Sequence, residues 1–365
     1  MLKTQKAFKV TLIPNRVQEV LINKTIGCVR FVYNRFLALR KELYTVEKQT
    51  LNYNGCSSLL TQLKKEIEWL REVDKFALQN SLKGLETAYN NFFADLKKPK
   101  DKRKFGFPKF KKKQGCKQTY KTNFTNSNIQ VIENCLKLPK LGWIRFHKSQ
   151  EIPEKIVNVT ITRSSTGKYI ASILCETEVH QHPSSSKAIG LDLGIKSYIV
   201  SSDNDVVDNP KYYRTHQRKL RKANKKLSRS QKGSSNRVQA KTKLAREYER
   251  ITSQRDDFLH KLSTRLIRDN AIICLENLAV KNMVKNRRLS KRIMDASWSK
   301  FVAMLEYKAK WHDRVVQRVS RFYPSSQTCN CCQQINPLVK DLKVREWTCP
   351  SCHVHHLRDF KALVF

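Results

Sequence analysis

Cys329 and Cys332 in CNCC, and Cys349 and Cys352 in CPSC, form two C-x-x-C pairs with sixteen residues between them. Each pair can chelate from one tight turn, and two such turns complete the tetrahedral four-thiolate set preferred by structural Zn²⁺. Four thiolates leave no open position for a reacting water, so this zinc is expected to be architectural, with Cys331 as an extra thiol. Gln333 and His353 follow the pairs, where such turns often carry glycine. His353 and His355 make an H-x-H, but no Tyr follows them to act as a strand-joining nucleophile.

Three carboxylates form a second chemical set. Asp192 interrupts the apolar run IGLDLGIKSYIV, Glu276 lies near the end of AIICLENLAV, and Asp359 stands in HHLRDF. An unpaired carboxylate inside an apolar strand costs roughly several kcal/mol, so each acid needs a partner, and a cation fits. Hard divalent cations take oxygen ligands, and two of them about 4 Å apart can activate a water and stabilise the leaving oxygen of a phosphodiester. Gly190 and Gly194 flank Asp192 and would let a phosphate backbone approach. Taken singly, each acid could equally be a cap, a turn residue or an ion-pair partner.

Charge names the substrate class. The 365 residues carry 72 Lys and Arg against 31 Asp and Glu, a net charge of +41, and nucleic acid is the polyanion that offsets such a field most densely. No apolar run long enough to cross a membrane occurs, and the start LKTQKAFKVTL alternates apolar and charged residues rather than forming a secretory leader. A cytoplasmic, nucleic-acid-bound protein without a membrane partner is expected. Five of the eleven cysteines crowd into 329–352, which points to metal rather than disulfides.

Around these groups the pattern predicts an α/β multidomain protein. Residues 6–12 alternate as a strand, and a helical region follows from Pro14 to about Lys98. Within it, Leu78, Leu82, Leu85, Tyr89, Phe92 and Leu96 recur at helical spacing. Residues 97–121 hold twelve Lys or Arg and one Asp, interleaved with Phe105, Phe107, Phe110 and Tyr120, and predict a backbone-gripping strand and loop. In that segment Lys109, Phe110, Lys111, Lys112 and Lys113 are the candidate contacts, though the aromatics could equally anchor a core. Short β-rich runs over 128–178 predict a small antiparallel barrel, and QHPSSSKA at 181–188 a linker. Residues 211–250 contain fifteen Lys or Arg against two Glu, broken by KGSSN into a basic helical hairpin spanning about 213–268. Arg218, Arg221, Lys222 and Lys225 there, with Arg287 and Arg288 after Glu276, are further candidate contacts to a phosphate backbone.

The runs GLDLGIKSYIVSSD, ICLENLAVKNM, FYPSSQTCNCC with NPLVKDLKVREWTCPSC, and the late RD resemble the TnpB (OrfB) family of insertion-sequence proteins, as do RFVYNRFLALR and GFPKFKKK. The resemblance runs nearly end to end. It implies a programmable nuclease similar to the compact type V CRISPR effectors. The implied parts are a wedge-like β-barrel (1–12 and 97–187), a helical recognition domain (13–96), and an RNase H-like (RuvC) domain (188–324 and 353–365) with a zinc ribbon inserted at 325–352. It further implies a guide RNA made from the transposon end, double-stranded target DNA with a short adjacent motif, and a single catalytic Mg²⁺ site of Asp192, Glu276 and Asp359. The oligomeric state stays open between monomer and dimer. The family pattern HDRDxNAAxNI reads HHLRDFKALVF here, with Leu357, Lys361 and Leu363 in place of Asp, Asn and Ala. Two outcomes are therefore expected: DNA cleavage, or guide-dependent DNA binding without cleavage.

Overall fold

A computed structural model describes residues 2–113, 117–179, 182–183, 186–203, 205–320, 327–329, 331–340, 344 and 346–357. The chain divides into two compact units, Lys3–Thr177 and Glu178–Phe365 with Met1–Leu2.

In the first unit, β1 (Leu2–Ile13) leads into α1 (Arg16–Glu47), followed by α2 (Tyr53–Glu66) and α3 (Lys75–Leu96). Asn15 starts α1 through a reciprocal capping box with Gln18, which satisfies N–H groups that the first helical turn leaves open. Ile22, Ile26, Val29, Tyr33 and Phe36 then bury one stripe of that helix. Six strands follow: β2 (Gln118–Asn123), β3 (Gln130–Ile132), β4 (Cys135–Leu138), β5 (Gly142–His147), β6 (Ile156–Arg163) and β7 (Tyr169–Val179). The strands expected to form a barrel make a seven-stranded sheet in the order β2-β6-β7-β1-β5-β4-β3. Phe8, Val10, Phe146, Ile161 and Ile173 of this sheet share one core with Phe36, Leu37, Leu78 and Leu82 of the helices. At about 1.5–3 kcal/mol for each such side chain, that common core holds helices and sheet together as one body.

The α3 stripe departs from its expected form at one end. Leu96 is exposed, and Asp95 is buried in its place. No strand forms among the described residues of 97–113, which run as loop with one short 3₁₀ turn at Lys100–Lys102.

The second unit opens with the meander β8 (Ala188–Leu193), β9 (Ser197–Ser201) and β10 (Val206–Asp208). The basic hairpin follows as α4 (Tyr212–Arg229) and α5 (Ser235–Asp269). Ser234 caps α5, while Arg237 donates to the carbonyls of Leu227 and Ser230 at 2.9 and 2.7 Å and so closes the end of α4. Next come β11 (Ile272–Glu276), α6 (Val280–Met283), α7 (Ser290–Ala296), α8 (Trp298–His312) and β12 (Val315–Val319). The sheet order is β10-β9-β8-β11-β12, antiparallel across the meander and parallel across β8, β11 and β12. Helical connections make the parallel pairings possible. Ile189, Leu191, Ile273 and Leu275 pack on Leu259, Leu262 and Leu266 of α5 and on Phe301 and Leu305 of α8. A small hairpin, β13 (Glu346–Thr348) with β14 (His355–Leu357), completes the described residues. No helix among the described residues is long and apolar enough to cross a membrane.

Candidate metal centres and nucleic-acid interface

The parallel pairing of β8 with β11 sets Cys274 opposite Gly190 and Leu275 opposite Leu191. One residue further along the same register, Glu276 falls beside Asp192, at the C-terminal ends of two neighbouring strands. Side chains alternate along a strand, so both acids lie on the face opposite the buried Leu191 and Leu275, and both are half-buried. Two oxygen donors side by side on rigid strands suit a hard divalent cation. Asp359 lies outside the described residues. Gly194 has a local requirement: a Cβ there would come within 2.7 Å of the Ser197 carbonyl oxygen in the β8–β9 turn. The backbone of Gly190 exchanges hydrogen bonds with Ser202, its N–H donating to the hydroxyl at 3.1 Å and its carbonyl accepting from the Ser202 N–H at 3.0 Å.

Pattern reading misses Asn277, Trp298, Ser299 and Arg318, which line a cavity of about 110 Å³ together with Glu276. Nothing in their local sequence marks them, because they come from separate segments joined only by the fold.

The four sulfurs of Cys329, Cys332, Cys349 and Cys352 lie within 4.8 Å of one another. Cys329 and Cys352 are 3.4 Å apart and Cys332 and Cys349 3.6 Å. A tetrahedron with Zn–S bonds of about 2.3 Å has edges of about 3.8 Å, so this set fits zinc. Burial opposes ionisation of Cys329, yet the N–H groups of Cys332 and Cys331 and the neighbouring thiols hold its pKa down to about 6. At Cys352 the Val354 N–H pulls down, but burial and the adjacent sulfurs push it up to about 12. Four sulfurs this close ionise together only when a cation offsets their mutual repulsion. Cys331 is exposed and outside the group. His356 is buried, with Nε2 3.2 Å from Cys329 Sγ, where its N–H can donate to a thiolate.

Both knuckles close despite lacking glycine. The N–H of Gln333 donates to the Cys329 carbonyl and that of His353 to the Cys349 carbonyl, each at 3.0 Å, with left-handed φ values of 60° and 55°. A side chain in that region costs about 1 kcal/mol. Gln333→Gly and His353→Gly should therefore each strengthen zinc retention, by up to about fivefold, in competition with a chromogenic chelator.

The basic loop after α3 is organised by Asp95, whose buried carboxylate accepts hydrogen bonds from Lys98 Nζ and from the N–H groups of Lys104 and Phe105, all at 2.6 Å. Phe107 stacks edge-on against Tyr89 and Phe92, and Lys41 Nζ sits over both Phe107 and Phe110. The aromatics thus serve in part as anchors on α3. Asn34 clasps the backbone of Lys111, whose Nζ lies 3.8 Å from the centre of the Tyr33 ring, while Lys109, Lys112 and Lys113 are exposed. Lys98 first, and then the two N–H groups, hold Asp95 down to about 2, below the usual aspartate value of 3.8. The loop's stabilisation is therefore complete above pH 3.8 and is lost as pH falls through about 2. Asp95→Ala should release the loop at neutral pH, read as a several-fold rise in tryptic cleavage within 97–113.

Arg218, Arg221, Lys222 and Lys225 are exposed on α4, and Arg287 and Arg288 on the turn after α6. Lys222, Lys225, Lys226 and Arg229 share one α4 face at the hairpin tip, around a groove of about 710 Å³ closed by Ser234, Asn236 and Gln239. Buried His216 joins the two helices, 2.9 Å from Gln254 and 3.4 Å from Glu247.

Three family models match the chain: "Probable transposase" of the OrfB/IS605 type over residues 172–287, the "Cas12f1-like, TNB domain" over 298–364, and a "Helix-turn-helix domain" over 1–49. Residues 1–49 here hold one strand and a single long helix. A Streptomyces pristinaespiralis protein named as a candidate RNA-guided DNA endonuclease is 37% identical, over 99% of this chain and 88% of its own length. The similarly named Escherichia coli K12 protein InsQ is 33% identical over 91% of this chain and 84% of its own. Among solved structures, a chain of the Cas12f1–sgRNA–target DNA complex superposes with a TM-score of 0.54 at 12% identity, over 99% of this chain and 98% of that one.

Proposed function

The chain belongs to the TnpB (OrfB) family of insertion-sequence proteins, and from that premise we propose that it is a guide-RNA-dependent DNA endonuclease that hydrolyses phosphodiesters at one RuvC-type site. The observation that carries this reading is the strand register that sets Glu276 beside Asp192. The order β10-β9-β8-β11-β12 supports assigning 188–324 to an RNase H-like domain, while the pairing of β14 (His355–Leu357) with β13 carries the zinc ribbon expected at 325–352 on through Leu357. The strands of 1–12 and 97–187 and the helices of 13–96 then act as wedge and recognition lobe on their shared core.

Asp192 and Glu276 would hold Mg²⁺, with Asp359 as third ligand, and the metal would supply the Lewis acid that lowers the pKa of the attacking water and neutralises phosphate charge. The strands keep both carboxylates in place, so little reorganisation is needed when substrate arrives. Lys109, Lys112, Lys113 and the α4 cations would grip backbones, while base pairing to a guide from the transposon end reads the sequence. With a genomic DNA target, this work belongs in the cytoplasm.

The test is co-expression with RNA from the transposon end, followed by matched and mismatched plasmid DNA with and without Mg²⁺. Cutting that needs guide, match and metal supports the reading. Guide-dependent binding without cutting at any Mg²⁺ concentration would replace it with a non-cleaving binder, the outcome that Leu357, Lys361 and Leu363 favour.

A further inference from the structure

We propose that the exposed rings of Phe93, Phe107 and Phe110 form a stacking platform for unpaired bases of the guide RNA. This rests on the guide-RNA-dependent reading and adds where on the first unit, and by what contact, single-stranded RNA is held.

The fold exposes here what a folded chain ordinarily buries. Phe93, Phe105, Phe107 and Phe110 keep 53, 52, 41 and 49% of their surface accessible, while Asp95, whose carboxylate accepts the Phe105 N–H, is buried. Three of the exposed rings are linked by contacts. Phe92 lies 5.3 Å from both Phe93 and Phe107 between ring centres, and Lys41 Nζ lies 5.1 and 4.9 Å from the centres of Phe107 and Phe110. The patch therefore runs unbroken from the end of α3, across the loop, to Lys41 on α1. Scattered apolar side chains on a surface need no explanation, whereas a run of neighbouring aromatics rimmed by polar groups marks a contact site.

The loop that carries Phe107 and Phe110 is fixed before any partner arrives. Asp95 holds its backbone at Lys104 and Phe105, and Asn34 clasps it at Lys111, donating to the carbonyl at 2.9 Å and accepting from the N–H at 2.8 Å. Little ordering entropy is then lost on contact, which favours binding.

Charge selects the occupant. Lys109, Lys112 and Lys113 are exposed on the same loop, and neither they nor Lys41 has a carboxylate partner among the described residues. A second copy of a chain with net charge +41 would bring like charge to this face. A nucleic-acid strand instead brings phosphates to the lysines and, on every base, a π-face to the rings. Bases inside a duplex stack on one another, so only unpaired bases can offer that face. Of the two strands in the nuclease reading, the guide stays bound while target is sought, and an aromatic patch left bare through that time would invite aggregation.

The test uses the full chain co-expressed with thiouridine-labelled guide RNA and irradiated before any DNA is added. Cross-linked nucleotides are expected on peptides containing Phe93, Phe107 or Phe110. The pair Phe93→Leu and Phe110→Leu keeps apolar bulk and removes the rings, and should lower that yield about tenfold, while Phe93→Tyr with Phe110→Tyr should retain it. Guide cross-links that are missing from these peptides, or that form only once DNA is added, overturn the platform. So do leucine and tyrosine pairs that behave alike, or a self-association of the chain that the leucine pair abolishes. Cleavage is scored on the same preparation after Mg²⁺ and matched DNA are added. Cross-links without cutting keep the platform and retire the nuclease reading, and cutting without cross-links does the reverse.

Discussion

Asp192→Asn should leave the chain folded, loaded with guide RNA and bound to matched DNA, while lowering the cleavage rate on the order of 10³-fold or more. The substitution keeps the shape of the side chain and removes the charge that a hard cation requires. Asp192 is half-buried at a strand end, so the neutral amide needs no repacking of Leu191 and Leu193. Several kcal/mol of transition-state charge stabilisation disappear with the metal, at about 1.4 kcal/mol per factor of ten. Glu276→Gln should match it, and the double variant should be little worse than either single one, because both carboxylates serve one site. Single-turnover cleavage and gel-shift assays on the same preparations measure the two quantities. A cutting rate within about tenfold of the parent protein would place the chemistry elsewhere.

Zinc uptake by the four-cysteine cluster, expected at one ion per chain, should fall to near zero in Cys349→Ser, with the ribbon alone unfolding. The ribbon's own core among the described residues is only Cys329, Val339, Trp347 and Cys349, with Val344 and Cys352 packed beside it. Such a cluster cannot offset the ordering entropy of its loops, whereas structural zinc supplies on the order of 10 kcal/mol. The β8–β12 sheet has its separate core on α5 and α8 and should keep its melting transition. Elemental analysis reports the zinc, and hydrogen exchange should show loss of protection at 346–357 with little change at 188–193 and 272–276. Full zinc content in the variant would mean that His356, 3.2 Å from Cys329 Sγ, can substitute as a ligand.

The four-cysteine cluster is legible in the chain because its spacing sets its geometry: each C-x-x-C forms its own turn, and two turns bring the four sulfurs together. The helical hairpin is equally legible, since its apolar positions, cations and KGSSN break are local features, and α4 and α5 fall close to the expected span. Local patterns fail where a distant backbone competes for a side chain. Leu96 fits the apolar stripe of α3, yet burial goes to Asp95, because the N–H groups of Lys104 and Phe105 need an acceptor that no leucine side chain offers. Gly194 has a reason that no local pattern shows, since a Cβ there would meet the Ser197 carbonyl in its own turn.

Composition and short-range spacing thus determined the strong positive charge, the two C-x-x-C knuckles and the basic helices, because charge sums along a chain and turns close within a few residues. They also marked Asp192 and Glu276 as costly in apolar strands. Only the tertiary structure set those two acids side by side, since their proximity comes from the parallel register of β8 and β11, which the whole α4–α5 hairpin separates in sequence. The cavity at Trp298 is likewise invisible in any window of sequence. It exists because β11, α8 and β12 meet there, and an indole N–H is left without an acceptor only once the surrounding core has closed.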